Sequence, residues 1–157
     1  MPVKNVIPGQ RVAKEKLQRA KELGADFLIN YTTAEFDKTI RDLTNRRGVD
    51  IVVDYIGADT WVRSLRSARR GGRVLTCGAT TGFAPQTDLR HIFFRQVQVL
   101  GSTMGSHRDF LDVMKCVFRG QLKPVIDRVL PLSDASRGHE LIERRAVFGK
   151  IVLTNAM

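Results

Sequence analysis

Strand-like and helix-like stretches alternate along nearly all of this 157-residue chain, and that alternation constrains its fold more than any other feature. Residues 13–23 set Leu17, Ala20 and Leu23 at helical spacing, and Gly24 supplies a stop. "DFLINY" (26–31) follows as a strand, and "TAEFDKTIRDLTN" (33–45) predicts a helix with Thr33 as N-cap and Phe36, Ile40 and Leu43 on one face. "VDIVVDYIG" (49–57) is almost continuously β-branched and ends in glycine, the pattern of a parallel strand buried on both faces, so it is predicted at the centre of the sheet. The alternation continues with a helix at 60–68, a strand at 71–78, a short helix at 88–96 and a strand at 97–103. An amphipathic helix over 106–122 carries a Phe110, Val113, Met114, Val117 and Phe118 stripe that is expected in the core. A strand at 124–132, a helix at 133–145 capped by Ser133 and a strand at 150–154 close the chain. Such alternation requires right-handed crossovers and implies a doubly wound, mostly parallel α/β sheet with helices on both faces.

Length bounds the chain to about one ordinary domain, and 43% apolar with 27% charged residues describes a globular protein. No run approaches the roughly 18 apolar residues of a membrane span, and "MPVKNVIPGQRV" has no apolar core like that of a signal peptide, so a cytoplasmic location with no membrane partner is expected. Cys77 and Cys116 are far apart in sequence and outside any CxxC pattern, which predicts reduced, buried thiols. The net charge of +10 admits a nucleic-acid partner, but the basic clusters at 45–48, 66–73 and 143–145 show no interleaved aromatics and no nucleic-acid-binding signature, so solvated surface is the preferred reading.

In an open parallel sheet, ligands sit beyond the carboxyl ends of the strands. That rule singles out Asn30 and Tyr31; Asp54, Tyr55 and Gly57; Gly78, Ala79 and Thr80; and Ser102, Thr103 and Met104. Gly57, Gly78 and Gly82 would let backbone approach a planar ligand, or they are ordinary strand-end turns. His91, His107 and His139 have no partners at metal-ligand spacing, and no GxSxG or HExxH occurs, so neither catalytic nor metal-binding residues are assigned. Asp50, Asp54 and Asp59 cluster around one strand, in the manner of capping groups.

The ordered set "KLQRAKELGADFLINY", "GVDIVVDYIGADTW", "GGRVLTCGATTG", "FFRQVQVLGSTMGS" and "FGKIVL" resembles the medium-chain dehydrogenase/reductase family of zinc-type alcohol dehydrogenases and quinone oxidoreductases, from about residue 13 to residue 154. The resemblance implies an oxidoreductase fold, a truncated Rossmann-like sheet, in which residues 1–122 are a partial dinucleotide-binding domain. Residues 123–157 would then be the strand–helix–strand segment that returns to the catalytic domain. It implies hydride transfer between NADP(H) and a carbonyl, alcohol or quinone. By the same resemblance Lys16 and Tyr31 would hold the 2′-phosphate of NADP, with Arg11 and Lys14 nearby. Gly57 would lie near the adenosine ribose, Gly78, Ala79 and Thr80 beside the nicotinamide half, Ser102 after the last strand, and Lys150 at the closing basic position. No Asp or Glu stands between Ile7 and Arg11 to meet ribose hydroxyls, which favours NADP over NAD.

Against the family pattern, the glycine-rich phosphate turn and the residues that hold catalytic zinc have no counterpart in this sequence, so zinc is not expected, and neither is turnover by this chain alone. A basic nucleic-acid module without chemistry, or an inert fragment, is the alternative. Without the family's first strand, the sheet either keeps a gap beside "DIVVDY" or re-pairs across it, and a rearranged sheet or a homo-oligomer through an exposed edge is expected.

Overall fold

The computed structural model describes residues 6–9, 14–31 and 33–155, which fall into two compact units, Met1–Met104 and Gly105–Met157. In the first, β1 (Val6–Gly9) runs parallel to β2 (Phe27–Asn30), with α1 (Lys14–Glu22) between them and α2 (Phe36–Leu43) after them. Then come β3 (Val49–Asp54), α3 (Trp61–Ser67), β4 (Ala68–Thr76), α4 (Arg90–Phe93) and β5 (Gln98–Gly101), whose strands form a parallel sheet in the order β3-β4-β5. The second unit holds α5 (His107–Phe118), β6 (Ile126–Pro131), a 3-10 turn (Leu132–Asp134), α6 (Ala135–Glu143) and β7 (Lys150–Thr154), with β6 and β7 parallel. Every strand pair is parallel, as the α/β alternation predicts.

Local chemistry explains the element ends. Gly24 leaves α1 at φ +101°, where its N–H reaches Lys21 O at 2.9 Å and the Ala25 N–H reaches Ala20 O at 3.1 Å. α5 starts on a reciprocal cap: Ser106 Oγ accepts the Asp109 N–H while Asp109 Oδ2 accepts the Ser106 N–H. Two predicted caps are displaced. Thr33 turns its N–H and hydroxyl back onto Asn30 O, leaving Glu35 to precede α2, and Ser133 falls inside the 3-10 turn, leaving Asp134 to precede α6.

Two clusters make the core of the first unit. Ile29, Phe36 and Ile40 pack with half-buried Tyr31, Ala34 and Val49; Leu65, Ala68, Val74 and Val97 pack with Val52, Trp61 and Ile92. Full burial of Phe36 or Leu65 contributes about 1.5–3 kcal/mol apiece.

Other expectations are corrected. β3 is an edge strand, not the centre, because β1 and β2 form their own sheet and among the described residues no strand bonds to its outer side. Val52 faces the core, while Ile51 and Val53, on the opposite face, are 54% and 58% exposed. The sheet keeps its gap and does not re-pair. Pro8 sits within β1 opposite Ile29, as an edge strand allows. The α5 stripe is not core: Phe110, Val113 and Phe118 are half or more exposed, because the helix is held by its cap and by pairs such as Lys115–Asp112. Cys77 is exposed and Cys116 half-buried, both as free thiols. Compactness divides the chain ahead of α5; the expected boundary at 122/123 concerns correspondence with a longer relative.

Candidate functional site

The carboxyl ends of β3 and β4 carry two loops that lock together. Asp54, the last residue of β3, is 3% exposed and its Oδ1 accepts the N–H groups of Ile56 at 2.9 Å and Gly57 at 3.0 Å. The Thr60 hydroxyl, at the start of α3, lies 3.1 and 3.0 Å from the two carboxylate oxygens. The carboxylate therefore orders the loop before α3 and does not cap the helix itself, where the sequence suggested a cap. Thr80 brings its N–H and hydroxyl to Tyr55 O at 3.5 and 3.1 Å, and Thr81 brings its own to Ile56 O at 2.8 and 2.9 Å.

Gly57 occupies φ +93°, and a Cβ there would lie 2.5 Å from Gly82 O and 2.9 Å from the Ala79 Cα. A Cβ on Gly78 would approach Tyr55 O at 3.2 Å. Gly57, Gly78, Ala79 and Thr80 are thus brought together, but these glycines make room for one loop against the other, where the sequence suggested room for a planar ligand.

Beside them, at the ends of β4 and β5, opens a cavity of about 450 Å³ lined by Thr76, Cys77, Gly78, Ala79, Gly101, Ser102 and Thr103. The Ser102 N–H donates to Thr76 O at 2.9 Å and fixes one rim to the other. Gly101 adds no crowding to this rim, since a Cβ on it would meet nothing within 4 Å. The strand-end rule finds Gly78, Ala79, Ser102 and Thr103; it misses Thr76, Cys77 and Gly101, which lie inside the strands or before the turn.

The other expected residues lie elsewhere. Lys16 is on α1, and Tyr31 follows β2 with its ring edge-on to Phe36, centroids 6.4 Å apart; neither lines the cavity. Lys150 opens β7 in the second unit, its N–H on Val125 O at 2.8 Å. Arg11 and the Lys14 side chain lie outside the described residues. His91 accepts from Arg66 Nε at 3.4 Å and His107 lies over Phe110 at 6.4 Å. Among the described residues no three His, Cys, Asp or Glu side chains come together in a group that could hold a metal ion.

At the opposite, amino end of the sheet, charge serves structure. Hydrogen bonds from Arg47 and then Arg69 hold the Asp50 carboxyl well below the usual carboxylate range. Arg95 takes the carbonyls of Leu65, Arg66 and Ala68 at the end of α3, and burial lowers its guanidinium from its ordinary value.

Comparison with known proteins fits this arrangement. An NAD-dependent alcohol dehydrogenase of Sulfolobus acidocaldarius is 32% identical over 149 residues, which are 94% of this chain and 42% of that protein. The crystal structure of an NAD-dependent alcohol dehydrogenase matches with a TM-score of 0.86 at 40% identity, over 98% of this chain and 44% of that one. A variant of the crotonyl-CoA carboxylase/reductase AntE, in complex with NADP, matches with a TM-score of 0.84 at 25% identity, over 97% of this chain and 43% of that one. The chain spans less than half the length of each of these relatives. Among the described residues no helix is long and apolar enough to cross a membrane. Residues 7–119 match the profile of the zinc-binding dehydrogenases, and with a parallel sheet whose strand ends open on a cavity, the chain belongs to the zinc-binding dehydrogenase family.

Proposed function

We propose that this chain is the dinucleotide-holding part of an oxidoreductase that moves hydride between NADP(H) and a carbonyl, alcohol or quinone. The observation that carries the proposal is the cavity at the ends of β4 and β5, where Gly101 leaves space for the nicotinamide half and Gly78, Ala79 and Ser102 supply backbone and hydroxyl groups, with Thr80 on the adjoining loop. Gly57 holds the neighbouring loop that would face the ribose. Lys16 and Tyr31 take the 2′-phosphate, a cation and a phenol suited to a doubly charged acceptor.

Support for NADP comes from the AntE complex and from the lack of a carboxylate at 7–11; two relatives carry NAD in their names, so the choice between them is the sharpest point to test. The cavity lining offers only hydroxyls and the Cys77 thiol as proton carriers, so the chain by itself should bind without turning over. Calorimetric titration with NADPH and NADH tests the proposal. Lys16→Ala should weaken NADPH about tenfold or more and leave NADH nearly unchanged, since a charge-assisted bond contributes about 1.5–3 kcal/mol. Equal losses would remove Lys16 from the phosphate site.

We also propose self-association through the β3 edge, on the support of exposed Ile51 and Val53 beside unpaired backbone. Light scattering at micromolar concentration should give a dimer mass, and a clean monomer would dispose of it.

A further inference from the structure

α4 and the turn after it present a surface that the cofactor reading leaves unused. Phe93 and Phe94 are 60% and 61% exposed, with ring centroids 4.6 Å apart and planes tilted by 33°. The fold brings the basic cluster at 66–73, which holds no aromatic of its own, beside the aromatic pair of "RHIFFR" (90–95). Arg70, brought from the start of β4, donates to Phe94 O at 2.8 Å, and Arg66, from α3, donates to His91. Arg90 stands one helical turn before Phe94. On the flank of α4, Arg66, Thr87, Arg90 and His91 line a cleft of about 470 Å³. Among the described residues the carboxylate bonded within this set is Asp88, on Arg90.

Exposed aromatic rings, with Arg70 on the adjoining backbone, Arg66 on α3 and Arg90 on α4, offer a stacking platform beside cationic groups. Bases of any sequence have a face to stack on it, and their phosphates meet the arginines. A duplex, whose bases are already stacked, has no use for the rings. We propose that this surface binds single-stranded nucleic acid, with bases on Phe93 and Phe94 and phosphates on Arg66, Arg70 and Arg90. It is separate from the cavity at the ends of β4 and β5, with which it shares no lining residue.

The test is fluorescence polarisation of the full chain with a labelled mixed-sequence 16-nucleotide single strand of RNA, with its duplex as control. Neutralising three phosphates on a single strand gives a salt slope of about −2, so affinity should fall roughly twentyfold from 50 to 200 mM salt. Phe93→Ala with Phe94→Ala should weaken binding about tenfold or more per ring, since stacking on one side chain is of that order. Both rings are at the surface, so a matched thermal melt checks that the fold survives. Arg70→Ala should lower the salt slope by about 0.7. Saturating NADPH should displace nothing. The proposal is overturned by absence of binding at 50 mM salt, by binding that survives loss of both rings, by preference for the duplex, or by displacement with NADPH. It is also overturned if loss of the rings changes the sedimenting mass of the chain and not its oligonucleotide affinity, for the pair would then be a seam between copies.

Discussion

The two units of this chain use the same kinds of residue to different ends. In the first, α2 and α3 bury Phe36, Ile40 and Leu65 against parallel strands. In the second, α5 carries an equally regular apolar stripe and fully buries none of it, leaving Met114 and Val117 half-buried, while α6 lies over β6 with Gly138 buried. Amphipathic spacing states that a face is suited to burial. It does not state that this chain contains the surface that buries it.

The largest test of that contrast compares truncations in the two stripes. Leu65→Ala should cost about 2–5 kcal/mol by lost transfer energy and a cavity, whereas Phe118→Ala should stay within about 0.5 kcal/mol, both read by urea denaturation. Similar costs at the two sites would mean that α5 is packed after all.

Next in size is the strand-end staple. Asp54→Ala strips the acceptor from two N–H groups and the Thr60 hydroxyl in a buried place, and should cost about 1–3 kcal/mol. It should also loosen the 55–60 loop, measurable as faster amide exchange at Ile56 and Gly57. Unchanged exchange there would mean that the contacts of Thr80 and Thr81 hold the loop alone.

Smaller again is the cap of α5, a helix with little else to hold it. Ser106→Ala should cost about 1 kcal/mol, and it should fray α5 before it affects the first unit, a difference visible in residue-level exchange. Uniform loss across both units would indicate one cooperative fold.

The smallest effect is acid sensitivity at the amino end of the sheet. Asp50 is depressed by Arg47 and Arg69, so its contribution is present above the ordinary carboxyl value of 3.8 and is lost as pH falls below it. The pair groups are largely exposed, so the change is slight. Asp50→Asn should flatten the stability profile below about pH 4, and an unaltered profile would assign the acid response to other carboxylates.

Much of this was legible in the sequence, for reasons that can be traced to particular residues. The order of elements followed from periodicity, and Gly24 ended α1 where its φ requires. The strand-end rule brought Gly78, Ala79 and Ser102 to one cavity. What sequence could not supply was partners. "VDIVVD" reads as a strand wherever it lies in a sheet, so its edge position depended on β1 and β2 pairing with each other. Gly57 stands out in the sequence, but what crowds it, Gly82 O at 2.5 Å from any Cβ it would carry, comes from a loop 25 residues away in sequence. Phe93 and Phe94 stand in "RHIFFR" (90–95), and the fold adds Arg66 and Arg70 from α3 and β4.

The central claim is that the cavity at the ends of β4 and β5 takes the nicotinamide half of a dinucleotide. Titrating NADPH into the wild-type chain and into Gly101→Leu tests it most directly, because Gly101 lines the cavity and a Cβ on it would meet nothing within 4 Å. The account predicts saturable binding to the wild type and at least a tenfold loss in the variant, with an unchanged melting temperature. Equal binding to both chains, or none to the wild type, would contradict it.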